Sequence, residues 1–324
     1  MKLRAVSKAL PKRVVNNQEL ACYLETNDEW IQSRTGIQQR YLVESESLEE
    51  LCVMVAKDLL AQARLAADEL DFIFIATMTP DYATPSVACL VQGKLGASKA
   101  FAMDVSAACS GFIYGLATAE KFINSGNYQR GLVIGADIMS RLVNWQDRST
   151  AILFGDGAAG VLVEASDTSN LTVWEESLGS DGSCASHLKG GGATTFHLEG
   201  DSSKVELDFL TMNGREIFNF VSQTVAENIT TLFDNSSVAM KDLDYVLAHQ
   251  ANQRLLAVLS KKTGIPETKF LSNIADYGNT SAASIPLLLA DKVLERQLVL
   301  GSQQKVLLTG FGGGLTWGSI LLNL

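Results

Sequence analysis

Three residues from separate parts of the chain have the types and settings that nucleophilic catalysis requires. Cys109 follows the strand-like run Phe101–Val105 and the small residues Ser106-Ala107-Ala108, and it precedes a helical stripe of Phe112, Leu116, Ala119 and Ile123. A thiol at such a strand-to-helix turn faces backbone N–H groups and the positive end of the helix dipole. That setting lowers a thiol pKa and presents a nucleophile. His249 closes the strand-like Tyr245–Ala248, and the carboxyl ends of strands are where open α/β sheets gather ligands. Asn279, in Tyr277-Gly278-Asn279-Thr280-Ser281, leads into a second turn of small residues. Taken singly, Cys109 reads equally as a nucleophile or a small buried hydrophobe, and His249 as a structural strand end. Together, a thiol, an imidazole and an amide converging from separate places in the sequence fit nucleophilic catalysis. Gly312, Gly313 and Gly314 follow the last strand-like run, and a backbone without Cβ atoms can aim N–H groups at a developing oxyanion.

The elements that position these residues occur twice. Leu70–Ile75, Ser106-Ala107-Ala108-Cys109 and Leu132–Gly135 are echoed by Leu243–Ala248, Ser281-Ala282-Ala283-Ser284 and Leu307–Gly310. Cys109 precedes Gly135 by 26 positions, and Ser284 precedes Gly310 by the same 26. The leading strands are 173 positions apart and the later elements 175. This spacing predicts a duplicated α/β unit, with halves at 1–165 and 166–324 and buried sheets covered by helices. It places Cys109 and Ser284 at matched turns beside a pseudo-twofold axis. Ser47 and Glu50 predict a capping box for a helix over 48–63. The polar stretch 166–209 reads as the connection between halves, a hairpin or loop excursion with His187 and His197 in solvated positions. The glycine-rich Phe154–Gly160 reads as close packing at a dimer or domain core.

Composition narrows the classes further. The 324 residues are 47% hydrophobic and 19% charged with net charge −10, which fits a large core and argues against both disorder and general nucleic-acid binding. Five cysteines with no C-x-x-C pair, beside three histidines, give neither a disulfide framework nor a zinc cluster. No Gly-Lys-Ser/Thr follows the triple glycine, and no dinucleotide fingerprint opens a first strand–helix turn. No metal or redox cofactor is expected. Apolar runs such as Phe72–Ala76 and Ile285–Ala290 are too short to span a membrane. The cationic N-terminus lacks a signal core, so the expected location is cytoplasmic.

The ordered set of motifs resembles the β-ketoacyl-acyl-carrier-protein synthase III family nearly end to end. It runs from Asn27-Asp28-Glu29-Trp30-Ile31-Gln32-Ser33-Arg34-Thr35-Gly36-Ile37 through the Cys109 turn, Asp147-Arg148 and Phe154-Gly155-Asp156-Gly157. It continues with His249-Gln250-Ala251-Asn252, Tyr277–Ser284 and Gly310-Phe311-Gly312-Gly313-Gly314-Leu315-Thr316-Trp317-Gly318. The resemblance implies a thiolase-like fold of duplicated α/β halves in five layers (α-β-α-β-α), in a homodimer. It implies a triad of Cys109, His249 and Asn279, with an oxyanion hole from the backbone N–H groups of Cys109 and Gly313. The implied reaction is a ping-pong condensation: Cys109 takes the acyl group of acetyl-CoA, and malonyl-acyl carrier protein then loses CO₂ and attacks it.

The resemblance also implies a CoA tunnel, with Trp30 and Arg148 stacking on the adenine, Arg34 near the phosphates, and Arg215 and Asn252 beyond them. Arg215 stands where relatives often carry Asn. Arg254, Lys261 and Lys262 would dock the acidic acyl carrier protein, against the plainer reading of a solvated helix face. Thr84 stands where some relatives place a large aromatic that closes the acyl pocket across the dimer, so longer or branched primers are expected to fit. Thiolases carry a second cysteine near the C-terminus, which this chain lacks. Elongating condensing enzymes have a second histidine where Asn279 stands. A starter condensing enzyme of secondary metabolism shares the triad and remains the alternative; a non-catalytic acyl-CoA-binding scaffold would have lost the nucleophile or the histidine.

Overall fold

A computed structural model describes residues 1–166, 174–192 and 208–324; His197 lies outside them. The first sheet is built from β1 (Lys2–Ala9), β2 (Phe72–Ala76), β3 (Phe101–Val105), β4 (Arg130–Ile138) and β5 (Asp156–Glu164), in the order β1-β5-β4-β2-β3. The second uses β6 (Trp174–Ser180), β7 (Tyr245–Ala248), β8 (Lys305–Gly312) and β9 (Thr316–Asn323), in the order β7-β8-β9-β6. Strand directions repeat as well. β1 against β5 and β5 against β4 are antiparallel, while β4–β2 and β2–β3 are parallel. β6–β9 and β9–β8 are antiparallel, and β8–β7 is parallel. Where β3 would have its counterpart there is a single parallel bridge, from Val246 to Phe270. The strand order and directions of the first sheet, β3 aside, therefore recur in the second.

Helices α1 (Leu48–Ala63), α2 (Val87–Leu95), α3 (Gly111–Asn124), α4 (Ala226–Asp234), α5 (Gln253–Thr263) and α6 (Ser284–Leu294) cover these sheets. The period-2 alternation of the strands decides which helices each side meets. Phe72 and Phe74 of β2 and Val306 and Leu308 of β8 share a core with Phe112 of α3 and Leu288 of α6. The intervening Ile73 and Ile75 pack with Leu51 and Val55 of α1 and Val91 of α2. Leu307 and Leu321 pack with Ile229 of α4 and Leu256 of α5. Both strand faces are thus buried, which is why the strands read as continuous apolar runs. The capping box is present: the Ser47 hydroxyl accepts from the Glu50 N–H, and the Glu50 carboxylate accepts from the Ser47 N–H.

Two expectations change. The stretch after 166 is not only a loop, because Trp174–Ser180 is the edge strand of the second sheet; half-exposed and polar, it carries little apolar signal. Beyond it, Leu188–Lys189 pairs with Thr211–Met212 in a short ribbon, and His187 is half-buried beside it. The second change is the register of the matched turns. Both turns are one-turn 3₁₀ segments, Ala108–Ser110 and Ser281–Ala283, followed by helices beginning at Gly111 and Ser284. Ala108 and Ser281 both have left-handed backbone, φ 46° and 52°. The turns therefore keep the 173-residue offset of the leading strands, which matches Cys109 with Ala282. The two extra residues enter between α6 and β8, and Ser284 matches Gly111.

The glycine-rich Phe154–Gly160 does pack closely between halves. A Cβ on Gly155 would stand 2.3 Å from the Tyr277 carbonyl oxygen. Among the described residues, no helix is long and apolar enough to cross a membrane.

Candidate active site

Cys109, His249 and Asn279 line one cavity of about 500 Å³, together with Gly312, Gly313 and Gly314. Its walls are mostly apolar, with Met78, Met139, Leu188, Leu210 and Phe220 among them. Such a lining suits an acyl chain and excludes water from the reacting groups. The triple glycine begins at the last residue of β8 and lies against the Cys109 turn: a Cβ on Gly312 would lie 2.7 Å from the Cys109 backbone nitrogen. No side chain fits there, so the requirement for glycine is steric.

The thiol differs from the sequence expectation. Cys109 is buried, and burial pushes its pKa up to about 12; the Ser281 hydroxyl hydrogen-bonds it in the opposite sense, and the nearby Asp137 carboxylate adds to the rise. A helix N-terminus contributes about 0.3–1 kcal/mol, less than desolvation of a buried thiolate. Desolvation thus outweighs the helix end, and the thiol is the favoured form of Cys109.

His249 is anchored on several sides. Its backbone N–H donates to the Thr309 carbonyl (2.8 Å), Nδ1 lies 2.7 Å from the Ser284 hydroxyl, and Phe311 meets the ring edge-on at 5.2 Å. Burial lowers the imidazole to about 3, so the ring is neutral at physiological pH. Asn279 is held through its backbone, donating to the Leu153 carbonyl (2.8 Å) and accepting from the Gly155 N–H (3.0 Å). Its side-chain oxygen accepts from the Ser281 N–H at 2.9 Å. That bond fixes which end of the amide is which and leaves the NH₂ for the cavity.

Sequence reasoning missed two buried charged residues that brace the second turn and the segment holding Asn279. Asp137, at the end of β4, accepts from the Thr77 and Thr79 hydroxyls (3.0 Å each) and the Met78 N–H (2.8 Å). Its other oxygen accepts from the Ala282 N–H at 3.2 Å. One carboxylate thereby ties β2, β4 and the second turn together; the available signal was its place at a strand end. Arg40 is wholly buried, donating to Asn17 Oδ1 and the Ile152 carbonyl (2.8 Å each), and burial lowers its pKa to about 10. Asn17 in turn donates to Asp28. Arg40 thus connects the Asp28–Thr35 helix to the segment that holds Asn279.

The expected CoA residues gather at that helix. Trp30 carries a guanidinium near its ring from each of two arginines, Arg34 at 4.9 Å and Arg148 at 4.7 Å. Asn252 caps α5 and also donates to the Arg34 carbonyl (3.1 Å), while Arg254 donates to the Ser33 carbonyl (2.9 Å). The cluster expected to bind CoA and the first of the three α5 cations are therefore adjacent. Arg254, Lys261 and Lys262 are exposed, and among the described residues none is within ion-pair distance of a carboxylate. Arg215 is exposed in the first turn of the Gly214–Phe220 helix and does not line the cavity; its neighbours Met212 and Ile217 do. Thr84 is exposed and likewise not part of the cavity wall within the chain.

Comparison with known proteins fits this geometry. The family model for 3-oxoacyl-[acyl-carrier-protein] synthase III matches residues 103–182, and the model of its C-terminal part matches 233–324. The chain is 49% identical over 323 residues to the β-ketoacyl-[acyl-carrier-protein] synthase III of Streptococcus pneumoniae, covering 100% of this chain and 99% of that one. Among solved structures, the 3-oxoacyl-[acyl-carrier-protein] synthase III of Aquifex aeolicus VF5 matches with TM-score 0.91 and 39% identity, over 100% of this chain and 99% of that chain. The priming β-ketosynthase of the R1128 polyketide pathway matches with TM-score 0.90 and 31% identity, over 99% and 96%.

Proposed function

The chain belongs to the 3-oxoacyl-[acyl-carrier-protein] synthase III family of acyltransferases, and from that premise we propose that it starts fatty acid synthesis through Cys109, His249 and Asn279. In the first half-reaction the Cys109 sulfur adds to the carbonyl of acetyl-CoA. The oxyanion is held by the backbone N–H groups of Cys109 and Gly313. The bond to the CoA sulfur breaks, and the proton lost by the thiol ends on CoA. In the second, malonyl-acyl carrier protein loses CO₂, and the electron pair moves into its thioester carbonyl. His249 and Asn279 donate hydrogen bonds to that enolate oxygen. The enolate carbon attacks acetyl-Cys109, the carbon–sulfur bond breaks, the sulfur regains a proton, and acetoacetyl-acyl carrier protein leaves. One observation carries this reading: the thiol, a neutral imidazole and an amide whose oxygen is already occupied line the same apolar cavity.

Trp30, Arg34, Arg148, Arg215 and Asn252 are assigned to CoA, and Arg254, Lys261 and Lys262 to the carrier protein. Adenine stacking on Trp30 displaces one guanidinium from its ring. A homodimer joined along β3 is supported by the position of that strand at a sheet edge, with Phe101, Met103 and Val105 half-buried; an unpaired edge favours pairing with a second copy. In such a dimer Thr84 would belong to the partner's acyl pocket and admit primers longer than acetyl, which competition of acetyl-, butyryl- and isobutyryl-CoA for Cys109 tests. The three separate apolar cores support five layers, and the repeated strand order supports halves at 1–165 and 166–324.

The test is intact mass after acetyl-CoA and again after a malonyl-acyl carrier protein chase. An acetyl adduct on Cys109 that disappears as acetoacetyl-acyl carrier protein forms is expected. An adduct that persists through the chase favours the second reading, a starter enzyme of secondary metabolism, for which the likeness to the R1128 priming ketosynthase speaks. No adduct with any short acyl-CoA would overturn both.

A further inference from the structure

His249 can donate to a carbonyl only from a ring nitrogen that carries hydrogen, and a neutral imidazole has one such nitrogen. Nδ1 is 2.7 Å from the Ser284 hydroxyl oxygen. The same oxygen receives the Gln250 backbone N–H at 3.4 Å. A serine hydroxyl has one hydrogen and two lone pairs. The Gln250 amide can only donate, so it occupies a lone pair. If Nδ1 donated as well, the hydroxyl hydrogen would have no acceptor among the described residues, buried as Ser284 is, and such an orphan is costly. The arrangement that satisfies every group has the hydroxyl donating to Nδ1, with the imidazole hydrogen on Nε2. Nε2 has no bonding partner among the described residues, and His249 lines the cavity.

We propose that Ser284 is a positioning residue that holds His249 as the Nε2–H tautomer and so makes it a donor to the thioester carbonyl. The inference rests on the role given to His249 above. Two further features favour it. Ser284 is the first residue of α6, so its backbone is fixed by the helix. The ring it addresses is fixed in turn by the backbone bond to Thr309 and by the edge of Phe311. The structurally matched position in the first half is Gly111, which has no side chain, so the hydroxyl is a feature of the half that carries the imidazole.

The tautomer is read directly from long-range ¹H–¹⁵N spectra of the full-length protein with labelled histidine. The expected spectrum has a protonated Nε2 and a bare Nδ1 for His249; a protonated Nδ1 overturns the proposal. Ser284→Ala should give a mixture of tautomers and lower condensation by roughly 100-fold, while acetyl-Cys109 formation by intact mass stays within about twofold, since that step uses the other donors. Ser284→Thr keeps a hydroxyl and should restore both the spectrum and the condensation rate. An alanine variant with unchanged tautomer and unchanged condensation overturns the proposal. If that variant does not fold, the wild-type and threonine spectra still decide. Because the spectrum needs no substrate, a wild-type protein that shows Nε2–H and yet makes no acetoacetyl-acyl carrier protein would refute the assigned reaction and leave the tautomer standing.

Discussion

Gly135 lies directly against Ala282: a Cβ on the glycine would stand 2.1 Å from the alanine carbonyl oxygen. The repeat-related Gly310 faces the other turn, where a Cβ would come 3.1 Å from the Ser110 Cα. Each sheet thus meets the turn of the opposite half at glycine, Gly135 in the first and Gly310 with Gly312 in the second. The Gly135 contact is with backbone and cannot relax by a rotamer change, whereas that of Gly310 is only tight. Gly135→Ala is expected to destabilise by about 3 kcal/mol or more, and Gly310→Ala by about 1–3 kcal/mol. Urea unfolding of both variants checks the order; equal losses would count against it.

The two half-reactions should separate by mutation. His249→Ala and Asn279→Ala are expected to lower condensation roughly 100- to 1000-fold, the usual cost of an oxyanion donor. Acetyl transfer to Cys109 should persist in both, because the donors proposed for that step are backbone groups. Single-turnover acylation followed by a malonyl-acyl carrier protein chase measures each step. Loss of acylation in either variant would move that residue into the first half-reaction.

Carrier-protein docking should be electrostatic. Replacing Lys261 and Lys262 by Glu is expected to raise the KM for malonyl-acyl carrier protein roughly tenfold and to shrink its dependence on salt. The KM for acetyl-CoA should not move. Steady-state kinetics at two ionic strengths test this, and a parallel rise in both KM values would place the two lysines at the CoA mouth instead.

The burial of His249 predicts a pH dependence of stability. Unfolded, the ring takes a proton near its ordinary value of 6.5; folded, it stays neutral down to about 3. Between those values the unfolded chain binds more protons, so stability falls as pH falls through that window and the contribution is intact above it. His249→Asn should remove this slope. The drop in urea midpoint from pH 7 to pH 5 is therefore expected to be smaller in the variant than in the wild type, and equal drops would contradict a buried neutral ring.

Features set by local spacing were legible in the sequence. The turn before Cys109, the strand end at His249 and the repeated blocks are each written within a dozen residues, and duplication let one half corroborate the other. Apolar strand-like runs such as Leu70–Ile75 also pointed to buried sheets covered by helices, although not to which helices would meet each side. What could not be read depends on the folded distance between remote positions. Ser284 reaches His249 across 35 positions, and Asp137 reaches Thr77 and Ala282 across 60 and 145. The protonation of Cys109 went the same way, because a helix end is visible in a sequence whereas the depth of burial around a thiol is not. The matching of Cys109 with Ser284 failed for a simpler reason: a two-residue length difference after α6 shifts the alignment without disturbing either turn.

The left-handed residues Ala108 and Ser281 mark two turns of one conformation that have come to do different work. The first presents a thiol. The second presents none, and instead supplies the Ser281 N–H that orients Asn279 and the Ala282 N–H that binds Asp137. A single half that paired with itself would carry two identical turns, and every change to one would change both. Two turns on one chain are free of that constraint, so the thiol and its support can differ while the backbone that carries them has the same conformation.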